Sequence, residues 1–184
     1  MGPEELSRAF LRQSDVSSDY DLNPELTLTA GRVLRPAAVL IAISNASAQP
    51  QVILTKRSSQ LQHHPGQIAF PGGKVDSTDP NVEAAALREA REEIGLNPDL
   101  VQVLGHLSTH ETVTGYLVTP ILGHIRDDFT AHPEAGEVAE IFQVPLAHVL
   151  DLDRYRIEKR LWLGQWRRYY TVPFGPYYIW GATA

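Results

Sequence analysis

Apolar residues occur mainly in short runs separated by polar turns, and one longer segment has helical periodicity. The short runs predict strands at residues 37–43, 52–55, 101–104, 117–122 and 140–144. The longer segment predicts a helix from about Pro80 to Ile94, since Asp79 is a favourable cap and Gly95 suits a left-handed end. A short helix near residues 146–150 and an aromatic hairpin at residues 162–180 complete the pattern, which is typical of an α/β fold.

Two segments are expected to lack long regular elements. Residues 1–30 are largely polar, and their amphipathic patch surrounds Leu6 and Phe10, so we expect a loosely packed N-terminal arm or a short helix. Residues 66–74 contain three glycines and Pro71, which predicts a turn-rich loop with at most a short strand at residues 68–70. The domain itself is therefore expected to span residues 31–184.

Composition narrows the class of protein and its partners. The chain has 184 residues, of which 43% are hydrophobic, enough for one domain with a sizeable core. Its 22 acidic and 16 basic residues give a net charge of −6, which disfavours a nucleic-acid partner. No apolar stretch approaches the ~20 residues that span a bilayer, and the acidic start does not resemble a signal peptide. We therefore expect a cytoplasmic protein with no membrane partner.

Three glutamates share one face of the predicted helix. Glu89, Glu92 and Glu93 are three or four residues apart, and each like-charge pair at such spacing costs about 0.2–0.5 kcal/mol. Arg88 cannot neutralise all three. Because the chain has no cysteine, a hard cation held by oxygen, Mg²⁺ or Mn²⁺, is the expected compensation. The alternative is an ordinary solvated helix face, but the adjacent glycine loop, which can approach phosphate closely, favours the metal.

The segment from Gly73 to Leu96 resembles the Nudix box. Its second half is complete, as Arg-Glu-Ala-Arg-Glu-Glu-Ile-Gly-Leu at residues 88–96. The first half departs from the pattern, because Asp79 stands near the position of the usual Glu and one extra residue separates it from Arg88. The likeness implies the Nudix fold, an α/β/α sandwich with a mixed central sheet, and hydrolysis of a diphosphate bond.

A second likeness lies upstream, in residues 53–58, Gly66 and residues 70–73. These resemble the extra signature of the coenzyme A pyrophosphatase subfamily, which implies coenzyme A or a derivative as substrate. The expected products are 3′-phospho-AMP and 4′-phosphopantetheine. Gln62 replaces the usual arginine, so one contact is absent or is supplied by the neighbouring His63 or His64. Members normally continue into a final helix, whereas this sequence ends at Ala184.

The resemblance also implies roles for individual residues. The carbonyl of Gly73 and the carboxylates of Glu89, Glu92 and Glu93 would hold the divalent cations. Arg88 would orient the carboxylates through a salt bridge. Arg88 and Glu93 are accordingly candidates for catalysis as well as for the architecture of the metal site.

Substrate contacts and a general base complete the implied site. Arg57 would pair with phosphate, beside the backbone of Gly72 and Gly73. Its alternative role is that of an edge-strand arginine that covers apolar surface. Glu137 is the first candidate for the general base and Glu111 the second, and each has an ordinary surface acid as its alternative interpretation.

Eight aromatic residues lie close together near the C-terminus. They could stack on an adenine or line a homodimer contact, but alternating packing within a hairpin is the commoner arrangement. We therefore assign them no chemistry at this stage. The set is Trp162, Trp166, Tyr169, Tyr170, Phe174, Tyr177, Tyr178 and Trp180.

Two other functions compete with a coenzyme A diphosphatase. A Nudix pyrophosphatase for ADP-ribose, dinucleotides or nucleoside triphosphates is favoured if Gln62 has changed the pocket, because the box does not fix specificity. A noncatalytic nucleotide sensor would be expected to lose carboxylates of the box. This chain keeps all three, which favours an enzyme acting on a nucleoside diphosphate derivative.

Overall fold

A mixed β-sheet forms the middle layer of the fold. The computed structural model describes residues 2–10, 15–26, 31–62, 64–162 and 164–184. Among these residues the sheet has nine strands: β1 (Ser17–Ser18), β2 (Arg35–Ser44), β3 (Gln51–Arg57), β4 (Ile68–Ala69), β5 (Gly72–Lys74), β6 (Val101–His106), β7 (His110–Glu111), β8 (Tyr116–Ile125) and β9 (Val138–Pro145). A separate hairpin is formed by β10 (Arg156–Trp162) and β11 (Gln165–Thr171). The described helices are α1 (Pro3–Phe10), α2 (Val82–Ile94) and α3 (Leu146–Val149), with 3₁₀ turns at Pro98–Leu100, Leu152–Arg154 and Gly181–Thr183.

The centre of the sheet is β2. It pairs with β8 in parallel over its whole length, and it is antiparallel to β3 and β5. Strand β9 pairs with β3, while β6 and β7 pair with β8. The predicted strands are thus confirmed, and they extend beyond the apolar runs because backbone pairing continues into polar residues at both ends.

Helices cover both faces of the sheet. On one face α2 buries Ala86, Ala90 and Ile94 against Leu40 and Ile121. The opposite face carries a second core that includes Leu6 of α1 and Leu146 of α3. The arrangement confirms the predicted α/β/α sandwich, since an amphipathic helix and a sheet each bury one apolar face against another layer.

The N-terminal segment is packed rather than loose. Leu6 is completely buried, and β1 pairs with β7 through Ser17 and His110. Of the two predicted alternatives, the short helix is confirmed by α1, whereas a loosely packed arm is wrong for the described part of this segment. The predicted domain boundary at residue 30 lies outside the described residues.

The glycine loop and α2 differ from prediction in their local detail. Residues 72–74 form β5, which the sequence did not predict, because their backbone pairs with β2. Helix α2 begins at Val82, and Asn81 caps it: the Oδ1 atom accepts a hydrogen bond of 2.8 Å from Ala84 N. The predicted cap, Asp79, binds Arg88 instead. Gly95 ends the helix with φ of 72°, as expected for a left-handed cap.

The aromatic hairpin begins earlier than predicted. Its first strand starts at Arg156, and Trp162 is the last residue of that strand. Every described residue of β10 is exposed, and Ile157, Leu161 and Trp166 are large exposed apolar residues. Alternating packing is therefore wrong for β10, whereas burial does alternate along β11, and Phe174 and Tyr177 beyond it pack against the second core. Among the described helices, none is long and apolar enough to cross a membrane.

Candidate active site

Arg88 is the centre of the charged cluster on α2. Its guanidinium donates two hydrogen bonds to Asp79, Nε at 3.0 Å and one terminal nitrogen at 2.9 Å. The other terminal nitrogen donates to Glu89 at 3.0 Å and to Glu92 at 3.1 Å. The guanidinium also reaches the carbonyl of Lys74 at 3.1 Å. One arginine thus joins α2 to the glycine loop through a bidentate carboxylate contact.

Glu93 is the buried member of the glutamate set. Its side chain projects from α2 toward β5, and the residue is 4% exposed. Its Oε2 atom accepts a hydrogen bond of 3.1 Å from Gly72 N. Burial raises the pKa of Glu93 to about 7, despite the opposing effects of that hydrogen bond and of the Arg57 charge. A buried carboxyl with so little compensation is suited to a cationic ligand.

Glu89 lies against the glycine loop, and this contact explains why residue 73 is a glycine. A Cβ atom added at Gly73 would lie 2.5 Å from the Glu89 carboxylate, so a side chain there would displace the acid. At Gly72 an added Cβ would lie 2.4 Å from the carbonyl oxygen of Ala38. Burial raises the pKa of Glu89 above its usual value, and the charges of Glu92 and Glu137 act in the same direction. Backbone and carboxylate oxygens are thus brought into one small volume.

Arg57 and Glu137 approach this cluster from the sheet. Arg57 ends β3, its register partner on β9 is Val138, and the carbonyl of Glu137 accepts a hydrogen bond of 2.7 Å from Ser58 N. The Glu137 charge raises the pKa of Glu93, while that of Arg57 lowers it. The Nε atom of Arg57 is buried without a hydrogen-bond partner among the described residues. Such a donor is suited to an anionic ligand.

The loop before β9 is held by contacts that the sequence did not predict. The backbone nitrogens of His132 and Glu134 donate to the carbonyls of Ile94 and Glu93, both at 3.0 Å. The Oε2 atom of Glu134 then accepts from Glu137 N at 2.9 Å. These bonds fix the loop at the end of α2. Most involve backbone atoms, so no residue type in the sequence could have indicated them.

Not every candidate joins the cluster. Glu111, on strand β7, forms an ion pair with Arg32, and it is not among the charges that affect Glu89 or Glu93. Glu92 reaches Arg88, but its side chain is 58% exposed. In the part of the chain that the structure describes, no three His, Asp or Glu side chains converge as a ready metal-ligand set. Arg88 occupies the space between Glu89 and Glu92.

The donor chemistry of the cluster nevertheless fits a hard divalent cation. All of its ligand atoms are oxygens, from carboxylates and from backbone carbonyls of the glycine loop. Three carboxylates, those of Asp79, Glu89 and Glu92, lie around the one guanidinium of Arg88, and Glu93 adds a fourth beside Glu89. Burial raises the pKa of Glu89 and of Glu93, and neighbouring carboxylates act in the same direction. The bonds of Arg88 to Glu89 and Glu92 are available for exchange with a cation, because they are contacts between side chains near the surface.

Comparison with known proteins identifies the family. The NUDIX domain model matches residues 34–165. The chain is 45% identical over 153 residues to the uncharacterized Nudix hydrolase NudL of Enterobacter sp. (strain 638), covering 82% of this chain and 78% of that protein. It is 46% identical over 150 residues to the protein of the same description in Escherichia fergusonii, with the same coverage of 82% and 78%. The chain belongs to the Nudix hydrolase family.

Solved structures agree on the fold. A C. elegans Ap4A hydrolase binary complex superposes with a TM-score of 0.54 and 19% identity, over 63% of this chain and 84% of that chain. The NUDIX domain of Shewanella oneidensis NrtR, complexed with ADP ribose, superposes with a TM-score of 0.51 and 19% identity, over 72% and 84%. At these identities the likeness is one of fold. The chain is thus a Nudix hydrolase, and members of this family generally use divalent metal ions.

Proposed function

We propose that this protein is a metal-dependent diphosphatase that hydrolyses coenzyme A or its derivatives to 3′-phospho-AMP and 4′-phosphopantetheine. The observation that carries the hydrolytic part is the buried carboxylate of Glu93 held on Gly72 N, with Glu89 beside it. The choice of coenzyme A rests on the upstream signature in residues 53–58 and 70–73. The orphaned Arg57 Nε, within that signature, supports a phosphate contact there.

The cation would be held by Glu89, Glu92, Glu93 and the Gly73 carbonyl, with Mg²⁺ or Mn²⁺ as the ion. When bound, such an ion neutralises charge on the phosphoryl oxygens and lowers the pKa of a water. Glu89 and Glu92 are now bonded to Arg88, and they would exchange those bonds for the ion. Arg88 keeps its two bonds to Asp79 in that exchange, so its role is to orient the carboxylates.

The remaining steps fall to side chains around the cluster. Arg57 binds a phosphate oxygen through its free Nε–H group. Glu137, which is exposed beside the glutamates, accepts a proton from the attacking water. The water oxygen bonds to one phosphorus, the P–O–P bridge breaks, and the bridging oxygen leaves with the other phosphoryl group. The proton passes from Glu137 to solvent.

A panel of substrates tests the proposal. Purified protein with Mg²⁺ or Mn²⁺ is incubated with coenzyme A, acetyl-coenzyme A, ADP-ribose, NADH and a diadenosine polyphosphate, and kcat/KM is measured for each. We expect coenzyme A or its acyl derivative to exceed the others at least tenfold, with 3′-phospho-AMP as a product. A preference for ADP-ribose or a dinucleotide would replace coenzyme A with the competing Nudix substrate class. Binding of these compounds without any turnover would favour a sensor.

The role of Glu137 has a matched control in the chain. A general base typically contributes about 10²–10⁴-fold, so Glu137→Gln is expected to lower kcat about a hundredfold. Glu111→Gln changes the second candidate, which is ion-paired with Arg32 away from the cluster, and should change kcat less than about threefold. If Glu111→Gln lowered kcat a hundredfold and Glu137→Gln did not, the two assignments would be reversed.

A further inference from the structure

A second site lies on the hairpin side of the sheet. A cleft of about 730 Å³ separates β10 and β11 from the loops that carry Gly66 and Thr112. This volume lies within the range of small-molecule sites. Lys56, Arg160, Arg167 and Arg168 line the cleft, and Asp19 is the single acid among its described lining residues. In a chain with a net charge of −6, the cations are therefore concentrated here.

Two of these arginines face each other across the hairpin. Arg160 and Arg167 are directly opposite in the antiparallel register of β10 and β11. Like charges in that position destabilise a hairpin. No carboxylate forms an ion pair with either one in the described part of the chain, and this includes Glu158, two residues before Arg160. A bound anion would remove the repulsion.

In the neighbouring cross-strand pair of the hairpin, one of the two positive charges is compensated by a carboxylate. Lys159 faces Arg168 in the next position of the hairpin, and Arg168 is bonded to Glu25 at 2.9 Å. Asp19 lies near Arg167, whose charge contributes to the lowered pKa of Asp19. However, the Asp19 oxygens already accept hydrogen bonds from His110 at 3.2 Å and from Val113 N at 2.8 Å. Arg160 and Arg167 thus remain free to bind a ligand.

Aromatic rings complete the cleft. The guanidinium carbon of Arg167 is 4.6 Å from the ring centre of Trp162, and that of Arg160 is 5.8 Å from the ring centre of Trp180. Tyr169 packs edge-on against Trp180, with ring centres 5.1 Å apart. Flat rings beside guanidinium groups recognise a ligand that is both aromatic and anionic, because bases stack on the rings and phosphates pair with arginine.

The cleft adjoins the candidate active site at the end of β3. Lys56 lines the cleft, and the next residue, Arg57, is the one whose charge acts on Glu93. The cleft residues Gly66 and Gln67 are bonded to the backbone of Arg57, at 3.1 and 2.9 Å. The end of β3 therefore contributes backbone or side-chain groups both to the cleft and to the candidate active site.

We infer that the cleft binds the phosphorylated adenosine end of the substrate, with Arg160 and Arg167 on its phosphates and the rings of Trp162 and Trp180 beside its base. The identity of the nucleotide rests on the proposed function. The chemistry of the cleft, cations and rings in a concave surface, does not depend on it. This site uses residues of the hairpin and none of the carboxylates on α2.

Binding of 3′-phospho-AMP to the full chain in EDTA tests the inference. All three tryptophans lie on the hairpin or at the cleft, at positions 162, 166 and 180, so their fluorescence reports directly on this region. We expect saturable quenching, confirmed by calorimetry, and affinity that falls steeply with salt. Binding of 5′-AMP should be weaker, and inorganic phosphate should not quench, because neither supplies both phosphates and a base.

Variants on the two faces of one strand provide the control. Arg160→Gln and Arg167→Gln are each expected to weaken 3′-phospho-AMP binding at least tenfold. Lys159→Gln removes a cation from the opposite face of β10 and should change the affinity less than twofold. Thermal unfolding of each variant checks the fold. Absence of saturable binding, or equal weakening by Lys159→Gln, would overturn the inference.

Kinetics separate this inference from the proposed function. With coenzyme A as substrate, Arg160→Gln is expected to raise KM at least tenfold and to change kcat less than threefold. An unchanged KM, together with normal hydrolysis, would refute the cleft and leave the diphosphatase standing. Arginine-dependent binding of 3′-phospho-AMP in a protein that does not hydrolyse coenzyme A would refute the proposed substrate and leave the cleft as a nucleotide site.

Discussion

The acidic face of α2 and the hairpin cleft both gather like charges, but they differ in how those charges are compensated. On α2, Arg88 bonds to Asp79, Glu89 and Glu92, and the excess of negative charge is concentrated at the buried Glu93. In the cleft, the facing arginines have rings beside them and no carboxylate partner within the described residues. A site that retains unpaired charge loses stability, so each excess indicates the charge of its ligand.

Neutralising a carboxylate on the acidic face of α2 is expected to have the largest effect on activity. Glu93→Gln is expected to lower kcat at least a hundredfold with the fold intact, because a neutral amide is a poor ligand for Mg²⁺. The amide oxygen can still accept the hydrogen bond from Gly72 N, so the local structure is preserved. Glu92→Gln should have the same effect. The measurement is steady-state hydrolysis, combined with calorimetric titration of Mn²⁺ into each variant.

A control for these variants lies on the same helix. Glu83 is in the first turn of α2, outside the cluster, and Glu83→Gln should keep kcat within twofold of the original protein. Turnover equal to that of the original protein in Glu92→Gln or Glu93→Gln would show that the carboxylates do not hold the catalytic ion. Unchanged Mn²⁺ affinity would lead to the same conclusion independently of the substrate.

The pKa of Glu93 predicts how the metal-free protein responds to pH. Burial raises this pKa from 4.5 to about 7, so between these values the folded chain holds a proton that the unfolded chain releases. Stability therefore falls as pH rises from about 4.5 to 7 and then levels off, with a loss of roughly 3 kcal/mol from this group. Urea denaturation in EDTA across this pH range measures the loss.

The same titration distinguishes Glu93 from the other acids. Glu93→Gln removes the titrating group, so its stability should vary less between pH 4.5 and 7, with a difference near neutrality of the size predicted above. Added Mg²⁺ should restore part of the stability of the original protein above pH 7, and less of that of the variant. Equal pH dependence in the two proteins would place the titrating group elsewhere.

The sequence predicted the helix of the acidic site and its C-terminal end, but not the residue that caps its N-terminus. Apolar periodicity placed α2 and its end at Gly95, because these features depend on residues close in the chain. The predicted cap, Asp79, was wrong, because Asn81 is an equally good capping residue by type and it caps the helix. The choice is made by Arg88, nine residues along the chain from Asp79, which binds that carboxylate across the loop.

The hairpin was harder to predict for a different reason. Its alternation of apolar and polar residues is equally consistent with core packing and with a ribbon whose two faces are both accessible. Only the register shows that Arg160 and Arg167 are opposite each other, and only the tertiary structure brings Lys56 into the same cleft. Composition could not indicate this local cationic surface, because the whole chain is acidic.

The smallest predicted effect tests the cost of the facing arginines. Without ligand, Arg160→Gln should stabilise the protein by about 0.2–1 kcal/mol at low ionic strength, because it removes the repulsion from Arg167. The contact of Arg160 with Trp180 works against this gain, but at 5.8 Å it is near the outer limit of such contacts. Urea denaturation at two salt concentrations measures the change, which should shrink as salt screens the charges.

Lys159→Gln is the matched variant for this measurement. Lys159 faces Arg168, whose charge is already paired with Glu25, so its removal should yield a smaller gain in stability. With 3′-phospho-AMP present, Lys159→Gln should become the more stable of the two variants. The ligand stabilises a chain that retains both Arg160 and Arg167 more than one that lacks either. If Arg160→Gln instead destabilised the free protein by about 1 kcal/mol or more, the arginine would be a structural contact of Trp180, and the unpaired charge would not mark a ligand site.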